Sequence, residues 1–146
     1  MVLTDMPEQG DAEAGRLFSG ETGDLIDRML NALGLDRSKI YCAPLCPARP
    51  PTGRIDDMLL PKLSEIAQLH IRLAAPKRVW LLGQAASRAI LGMDEVAAKG
   101  KLHLINQKAP IMEAVASIHP RLLLQNPKRK AGVWEDMQLL AGGLVA

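Results

Sequence analysis

Short runs of apolar residues recur along the chain, separated by stretches in which apolar residues follow a helical spacing. The runs cover residues 2–4, 39–43, 78–82 and 112–118. Continuous apolar runs of this length are typical of strands that are buried on both faces of a parallel sheet. Strands that alternate with helices predict an α/β fold. We expect a three-layer α/β/α sandwich with a central four-stranded parallel sheet, formed by residues 1–146 as a single domain.

The spacing of apolar residues predicts two helices before the third strand. Thr22 is the expected N-cap of the first helix and Gly34 its C-terminal stop. The second helix ends before Pro76, and its His70 is expected at the edge of the core. The residues expected on the buried sides are Ile26, Met29, Leu30 and Leu33 in the first helix, and Leu63, Ile66, His70 and Leu73 in the second.

Two further helices follow the third and fourth strands. Small residues after Gly83 begin a helix that ends near Gly92. The backbone amides at this helix start could bind a phosphate, although such a signal is weak by itself. The final helix carries Trp134, Met137 and Leu140. The intervening residues 99–110 are basic and have no regular pattern.

Two loops interrupt this pattern. Residues 5–20 form a long loop with the single phenylalanine of the chain, Phe18, which is either a core residue or an aromatic platform for a ligand. Residues 44–54 are rich in proline and are expected to be extended. At the last strand, Pro120 favours a helix start and holds His119 in an extended conformation. His119 therefore either ends a strand or lies in a ligand site at the sheet edge.

Composition narrows the class of protein. The 48% hydrophobic content argues against disorder, and a net charge of +2 does not by itself indicate a polyanion partner. Residues 128–130 with Lys99, Lys101 and Lys108 form either local positive patches or a solvated face. Neither a signal peptide nor a membrane span is predicted, so we expect a cytoplasmic protein without membrane association.

Cys42 and Cys46 are the two cysteines of the chain. Two thiols imply no disulfide framework and cannot complete a zinc or iron–sulfur site alone. No metal is therefore expected.

Several short motifs follow one another in a specific order. They are Thr4-Asp5-Met6-Pro7-Glu8, Gly15-Arg16-Leu17-Phe18-Ser19-Gly20, Leu25-Ile26-Asp27-Arg28-Met29-Leu30, Arg49-Pro50-Pro51, Pro76-Lys77, Leu82-Gly83, His119-Pro120, Leu122-Leu123, Asn126-Pro127 and Trp134-Glu135-Asp136. In this order the chain resembles the uracil-DNA glycosylase superfamily, in particular the family-four type that carries an iron–sulfur cluster. The resemblance covers almost the whole chain.

The resemblance implies roles for individual residues. A glycosylase takes the target base out of the stack and stabilises the charge that develops as the glycosidic bond breaks. By resemblance, Phe18 stacks on the base, His119 lies against its carbonyl oxygen, and Asp5 and Pro7 position the attacking water and approach the DNA backbone. Further DNA contacts are expected at four residues, which are Gly83, Gln84, Pro120 and Arg121.

The chain also departs from the family pattern. Pro44 occupies the base-binding position where the family has an asparagine that reads the uracil edge, and Gln9 or Gln84 are candidate replacements. Asp5 replaces a glutamate, and Glu8 replaces a glycine with a carboxylate that would repel phosphates.

The iron–sulfur ligands of the family are also missing. Two of its cluster cysteines fall on Ala48 and Leu59, and the other two precede the first strand of this sequence, so no cofactor is expected. The expected partner is DNA.

Two hypotheses remain. The first is a divergent glycosylase that hydrolyses the N-glycosidic bond of a base in DNA, with Asp5 and His119 as catalytic residues. The second is a catalytically inactive module of the same fold that binds DNA or another protein. A nucleotide-binding doubly wound enzyme is disfavoured, because neither a Walker-type loop nor a dinucleotide fingerprint is present.

Overall fold

The computed structural model describes residues 1–106 and 110–142. Its five strands form one sheet in the order β2-β1-β3-β5-β4. The strands are β1 (Val2–Thr4), β2 (Cys42–Pro44), β3 (Arg78–Leu82), β4 (His103–Asn106) and β5 (Met112–Ser117). The described helices are α1 (Asp11–Ala14), α2 (Gly20–Ala32), α3 (Leu60–Ala74), α4 (Gln84–Leu91), α5 (Glu95–Ala98), α6 (Pro120–Gln125) and α7 (Lys130–Ala141).

The two faces of the sheet are both covered by helices. Val2, Trp80 and Val115 point to one face, where they pack with residues of α2, α6 and α7. Their neighbours Leu3 and Leu81 point to the other face, towards α3, α4 and α5. Because successive side chains of a strand alternate between faces, these strands need apolar residues at nearly every position. The predicted three-layer α/β/α sandwich is confirmed.

The strand count differs from the prediction of four parallel strands. β1, β2, β3 and β5 are parallel, and β4 is a fifth strand that pairs antiparallel with β5. β4 lies in the basic stretch that showed no regular pattern. Leu104 at its centre is 64% exposed, so this edge strand lacks the apolar run of a buried strand. Residues 107–109, including Lys108, lie outside the described part of the chain.

The ends and buried faces of some helices also differ from the predictions. The first predicted helix begins at Gly20 with Ser19 as N-cap, and Thr22 is buried within it. In α3, the side chains buried most deeply belong to Ala67 and Ile71. Ile66 and Leu73, which were expected on the buried side, are 55% and 76% exposed. Leu63 packs against the core as predicted, so the prediction was wrong only for Ile66 and Leu73, whose places on the buried face are taken by Ala67 and Ile71.

A chain of buried polar groups fixes α7 to the end of β5. The indole Nε1 of Trp80 donates to Ser117 Oγ at 3.0 Å, and Ser117 Oγ donates to Asp136 Oδ2 at 3.0 Å. Asp136 Oδ1 also accepts from the amide of Gly100 at 2.7 Å. Each of these buried groups therefore has a partner, as buried polar groups require. The network holds the strand that leads to His119 against the helix layer.

None of the described helices has the length and hydrophobicity needed to cross a membrane.

Candidate active site

The carboxyl ends of four parallel strands lie level with one another. Thr4 at the end of β1 is the register partner of both Pro44 and Leu82, and Leu82 is the partner of Ser117 at the end of β5. Residues that directly follow these strands must therefore meet at one sheet edge. In α/β proteins this edge is the usual location of ligand sites.

His119 lies at this edge and caps α6. Its Nδ1 accepts a hydrogen bond from the backbone amide of Arg121 at 3.1 Å, and its Nε2 lies 2.9 Å from Thr4 Oγ1. Burial, together with the positive charges of Arg121 and Arg49, lowers the pKa of His119 to about 3. The imidazole is therefore neutral. Since Nδ1 accepts from an amide, the ring proton is on Nε2, which can donate.

Asp5 directly follows β1 and turns towards the start of α4. Its Oδ1 accepts from the amide of Ala86 at 2.7 Å. Gly83 leaves the space for this carboxylate, because a β-carbon at Gly83 would lie 2.5 Å from Asp5 Cγ. Burial raises the pKa of Asp5 to about 6, although backbone hydrogen bonds from Ala86 and Ala85 oppose the rise. At this helix start, which was considered as a phosphate site, the amide of Ala86 is already bonded to the Asp5 carboxylate.

Phe18 lies beneath the same edge and is part of the core. Its side chain is 1% exposed, and its ring centroid is 6.4 Å from that of His119 at an interplanar angle of 38°. The backbone of Phe18 has a φ of 56°, which is uncommon for a residue with a side chain. Gly23 of α2 packs directly against the carbonyl oxygen of Phe18 and has no room for a β-carbon.

Asp11 holds the loop that carries Phe18. Its carboxylate is 4% exposed and accepts from the amides of Glu8 at 2.7 Å, Phe18 at 3.1 Å and Ser19 at 2.8 Å. Burial favours the neutral form of Asp11, but the hydrogen bonds from Ser19, Glu8 and Phe18 outweigh it and lower the pKa of Asp11. One ionised side chain thus closes the loop from Glu8 to Ser19 and stabilises the unusual backbone at Phe18.

Glu8 covers His119 and pairs with Arg121. Glu8 Oε1 lies 2.7 Å from Arg121 Nη1 and 3.4 Å from His119 Nε2, and the Glu8 side chain is 10% exposed. Burial raises the pKa of Glu8, while the nearby charges of Arg121 and Arg49 oppose the rise. Arg49 also donates to the carbonyl oxygen of Pro7 at 3.1 Å. The carboxylate of Glu8 therefore faces inward into an ion pair and does not stand free to meet a phosphate.

The remaining predicted site residues lie around this centre. Pro44 ends β2 and is half-buried, while Pro120 is buried as the first residue of α6. Gln84 is exposed, and its Nε2 donates to Asp94 Oδ1 at 3.1 Å. Gln9, the other candidate for reading the base, is also exposed. Both glutamine side chains therefore lie on the surface and not against His119.

Sequence reasoning did not identify the roles of Thr4, Asp11 and Glu8. Thr4 was assigned only to a strand, and Glu8 was interpreted only as a repulsive charge. A signal existed for Thr4, since a polar residue at the carboxyl end of a buried strand points into the ligand edge. For Asp11 and Glu8, the partners are brought close only by the fold.

An iron–sulfur cluster does not fit the cysteines that the structure describes. Cys42 and Cys46 are half-buried free thiols, and Cys46 Sγ donates to the carbonyl oxygen of Ala48 at 3.2 Å. Such clusters are usually held by four thiolates, and these two cysteines could provide only two of them. Within residues 1–106 and 110–142, no group of three or more His, Cys, Asp or Glu side chains is arranged to hold a metal ion.

Comparison with known proteins identifies the family of the chain. The model of the uracil DNA glycosylase superfamily matches residues 1–138. The chain belongs to this superfamily. A Type-4 uracil-DNA glycosylase of Pyrobaculum aerophilum is 25% identical, over 98% of this chain and 76% of the relative.

Two further relatives carry the same description. Type-4 uracil-DNA glycosylases of Sulfurisphaera tokodaii and Archaeoglobus fulgidus are 25% and 23% identical, each over 94% of this chain, and over 66% and 73% of their own lengths. The chain thus spans about two thirds to three quarters of the length of these relatives.

Proposed function

We propose that this protein is a DNA glycosylase that hydrolyses the N-glycosidic bond of uracil in DNA. The observation that carries the proposal is that a neutral His119 and the Asp5 carboxylate lie at one sheet edge, each just after a strand next to β3. The similarity to Type-4 uracil-DNA glycosylases supports the choice of substrate. The cytoplasmic location remains a prediction that accompanies this proposal.

In the proposed reaction, His119 stabilises the leaving base. As the bond between C1′ of the sugar and N1 of uracil breaks, its electron pair moves to the base, and negative charge develops on the adjacent carbonyl oxygen. For this, the Nε2–H of His119 exchanges its contact with Thr4 Oγ1, which lies 2.9 Å from Nε2, for a hydrogen bond to this oxygen. A neutral donor that is held in place before the reaction needs little reorganisation, so the stabilisation favours the transition state.

Asp5 acts on the sugar side of the same bond. Loss of the base leaves positive charge on C1′ and the ring oxygen. The ionised carboxylate of Asp5 stabilises this charge and orients a water molecule, whose oxygen forms the new bond to C1′ while its proton passes to solvent or to the departing base. The amide of Ala86 donates to Oδ1 and holds the carboxylate in place.

A second candidate function is a DNA-binding module without activity. It is favoured by the deep burial of the two residues that would contact a base, because Phe18 and His119 are 1% and 2% exposed. A base can reach them only if side chains around them move aside. Proline at position 44 also supplies no side-chain hydrogen bond to a base.

Base release separates the two functions. We would incubate the protein with single- and double-stranded oligonucleotides that contain one uracil, and compare wild type with His119→Ala and Asp5→Asn. Loss of the His119 donor should slow release by about 10²- to 10³-fold. His70→Ala is the matched control, because His70 lies on α3, where its ring contacts Tyr41 and no residue of the site. No release by a folded wild-type protein would refute the glycosylase and favour the binding module.

DNA binding itself can be measured without chemistry. Arg54 is exposed and lines a cavity of about 160 Å³ that also borders Asp5 and Arg121. If DNA crosses this edge, Arg54→Ala should weaken binding severalfold and reduce the slope of log Kd against log salt by about 1. Arg72→Ala is the control, because Arg72 lies in the last turn of α3, at the opposite end of the sheet. An equal effect of both variants would argue against this surface.

A further inference from the structure

The candidate catalytic histidine and two charged side chains next to it form a row of alternating hydrogen-bonding character. His119 Nε2 lies 3.4 Å from Glu8 Oε1, and Glu8 Oε1 lies 2.7 Å from Arg121 Nη1. His119 Nε2–H is a donor, the carboxylate of Glu8 is an acceptor, and the guanidinium of Arg121 is a donor. The order across the row is therefore donor, acceptor, donor.

The pairing edge of uracil has the opposite order. Its O2, N3–H and O4 are an acceptor, a donor and an acceptor. If His119 donates to O2, the adjacent N3–H faces Glu8, and O4 faces Arg121. Both bonds to the charged groups are charge-assisted, which makes them stronger than bonds between neutral groups. They replace the ion pair that Glu8 and Arg121 make with each other in the absence of a base.

Cytosine would mismatch this row at two positions. Its N3 is an acceptor and would face the carboxylate of Glu8, and its amino group is a donor and would face the guanidinium of Arg121. Unpaired or repelled polar groups in a buried site are costly, so the row rejects cytosine. Thymine presents the same edge as uracil, and its 5-methyl group lies elsewhere on the base.

Other side chains at the sheet edge are less well placed to read a base. Pro44 has no polar side-chain atom, and the Gln84 amide donates to Asp94 on the surface. The Glu8 side chain is 10% exposed and that of Arg121 is 30% exposed. The pair is therefore shielded from bulk water, and a base can bind to both groups by replacing the bond between them. Arg49, which also acts electrostatically on Glu8, helps to keep this carboxylate ionised.

We propose that Glu8 and Arg121 determine base specificity, and that together with His119 they select a base with a carbonyl, N–H, carbonyl edge. This inference rests on the proposed glycosylase function. Glu8 accepts from the N–H of the base and Arg121 donates to the distal carbonyl oxygen. The pair thereby supplies the hydrogen-bond donor and acceptor for the base that the side chain of Pro44 cannot supply.

The test uses a base in which this N–H is blocked. We would measure kcat/KM for oligonucleotides with uracil or N3-methyluracil, using wild type, Glu8→Ala, Glu8→Gln and Glu13→Ala. Wild type should release uracil about 10- to 100-fold faster than N3-methyluracil. Glu8→Ala should lose most of this ratio through a slower uracil reaction. Glu8→Gln should retain part of it, because its amide oxygen still accepts. Glu13 is an exposed acidic residue of the same loop, so Glu13→Ala should match wild type.

The outcomes distinguish the inference from the function on which it rests. A wild-type ratio near 1, or Glu8→Ala with the wild-type ratio, would overturn the role of Glu8. Faster uracil release by Glu8→Ala would also overturn it and would identify Glu8 as an obstruction. If wild type itself releases no uracil although thermal unfolding shows a folded protein, the proposed function fails and the inference with it.

Discussion

The carboxylate of Asp5 occupies the space that a side chain at Gly83 would need. A β-carbon at Gly83 would lie 2.5 Å from Asp5 Cγ, and the φ of Gly83 is 106°, a conformation that residues with side chains rarely adopt. The glycine that follows β3 therefore allows the carboxylate that follows β1 to reach the first turn of α4.

Gly83→Ala should displace this carboxylate. We expect uracil release to fall by about 10²-fold, because a displaced carboxylate no longer orients water. The protein should also lose about 1–3 kcal/mol of stability through backbone strain. Gly92→Ala is a useful control, since Gly92 also has a positive φ but its β-carbon would meet no atom within 4 Å. Equal loss of activity in both variants would show that strain alone is responsible.

The pKa of Asp5 predicts the pH dependence of the reaction. Burial raises this pKa to about 6, and the proposed role requires the ionised form. The value of kcat/KM should therefore fall tenfold per pH unit below about 6 and level off above it. A profile of uracil release between pH 4.5 and 8.5 would measure this limb. A flat profile across pH 6 in a protein that stays folded would exclude Asp5 as the titrating group.

Asp5→Asn should stabilise the protein at neutral pH. The pKa of Asp5 is higher in the folded state than in the unfolded state, so the folded state binds more protons between about pH 4 and 6. Stability is therefore lost as the pH rises through this window. A shift from 3.8 to about 6 corresponds to at most about 3 kcal/mol.

Urea unfolding at two pH values would test this stability prediction. Asn can still accept from the amide of Ala86, so the variant should exceed wild type at pH 7.5 and match it near pH 4. A variant that is less stable than wild type at both pH values would contradict the desolvation argument.

The proton on the imidazole of His119 can be observed directly. The amide of Arg121 bonds to Nδ1, and the pKa of His119 is about 3, so the ring should remain neutral with its proton on Nε2. In ¹⁵N NMR spectra the His119 signals should not titrate between pH 5 and 8, and His119→Gln would assign them. A midpoint near pH 6.5 would mean that the imidazole is charged at the start of the reaction.

Asp11→Asn should loosen the loop that carries Phe18. An amide group keeps one acceptor oxygen and places an NH₂ group against backbone N–H donors, so bonds to Glu8, Phe18 or Ser19 are lost. We expect a loss of about 2–4 kcal/mol in urea unfolding and slower uracil release. Glu13→Gln changes an exposed acid in the same loop and should have little effect. Unchanged stability of Asp11→Asn would show that the loop is held by other contacts.

The sequence predicted the centre of the sheet better than its edge. Residues 78–82 and 112–118 are apolar at nearly every position because both faces of those strands are covered. β4 was not predicted, because an edge strand that is exposed to solvent does not need a continuous apolar run. That residues 1–146 form one domain remains a prediction.

The site shows the same division between local and long-range signals. His119 could be located because it follows a strand that ends at the ligand edge of a sheet, whereas Asp5 was identified through the resemblance of its motif. The bonds of Asp11 to the backbone of its own loop, and the approach of Glu8 to Arg121 across 113 positions, depend on the closed fold. Hydrophobic periodicity carries no information about these contacts.

The level strand ends have an evolutionary consequence. Thr4, Pro44, Leu82 and Ser117 complete the ladders of the sheet, while Asp5, Glu8, Gly83 and His119 come just after them. A mutation can thus replace one chemical group at this sheet edge without disturbing the hydrogen bonds between the strands. Substrate preference in such a scaffold can drift in small steps, and a lineage can lose one way of recognising a base and acquire another while its architecture persists.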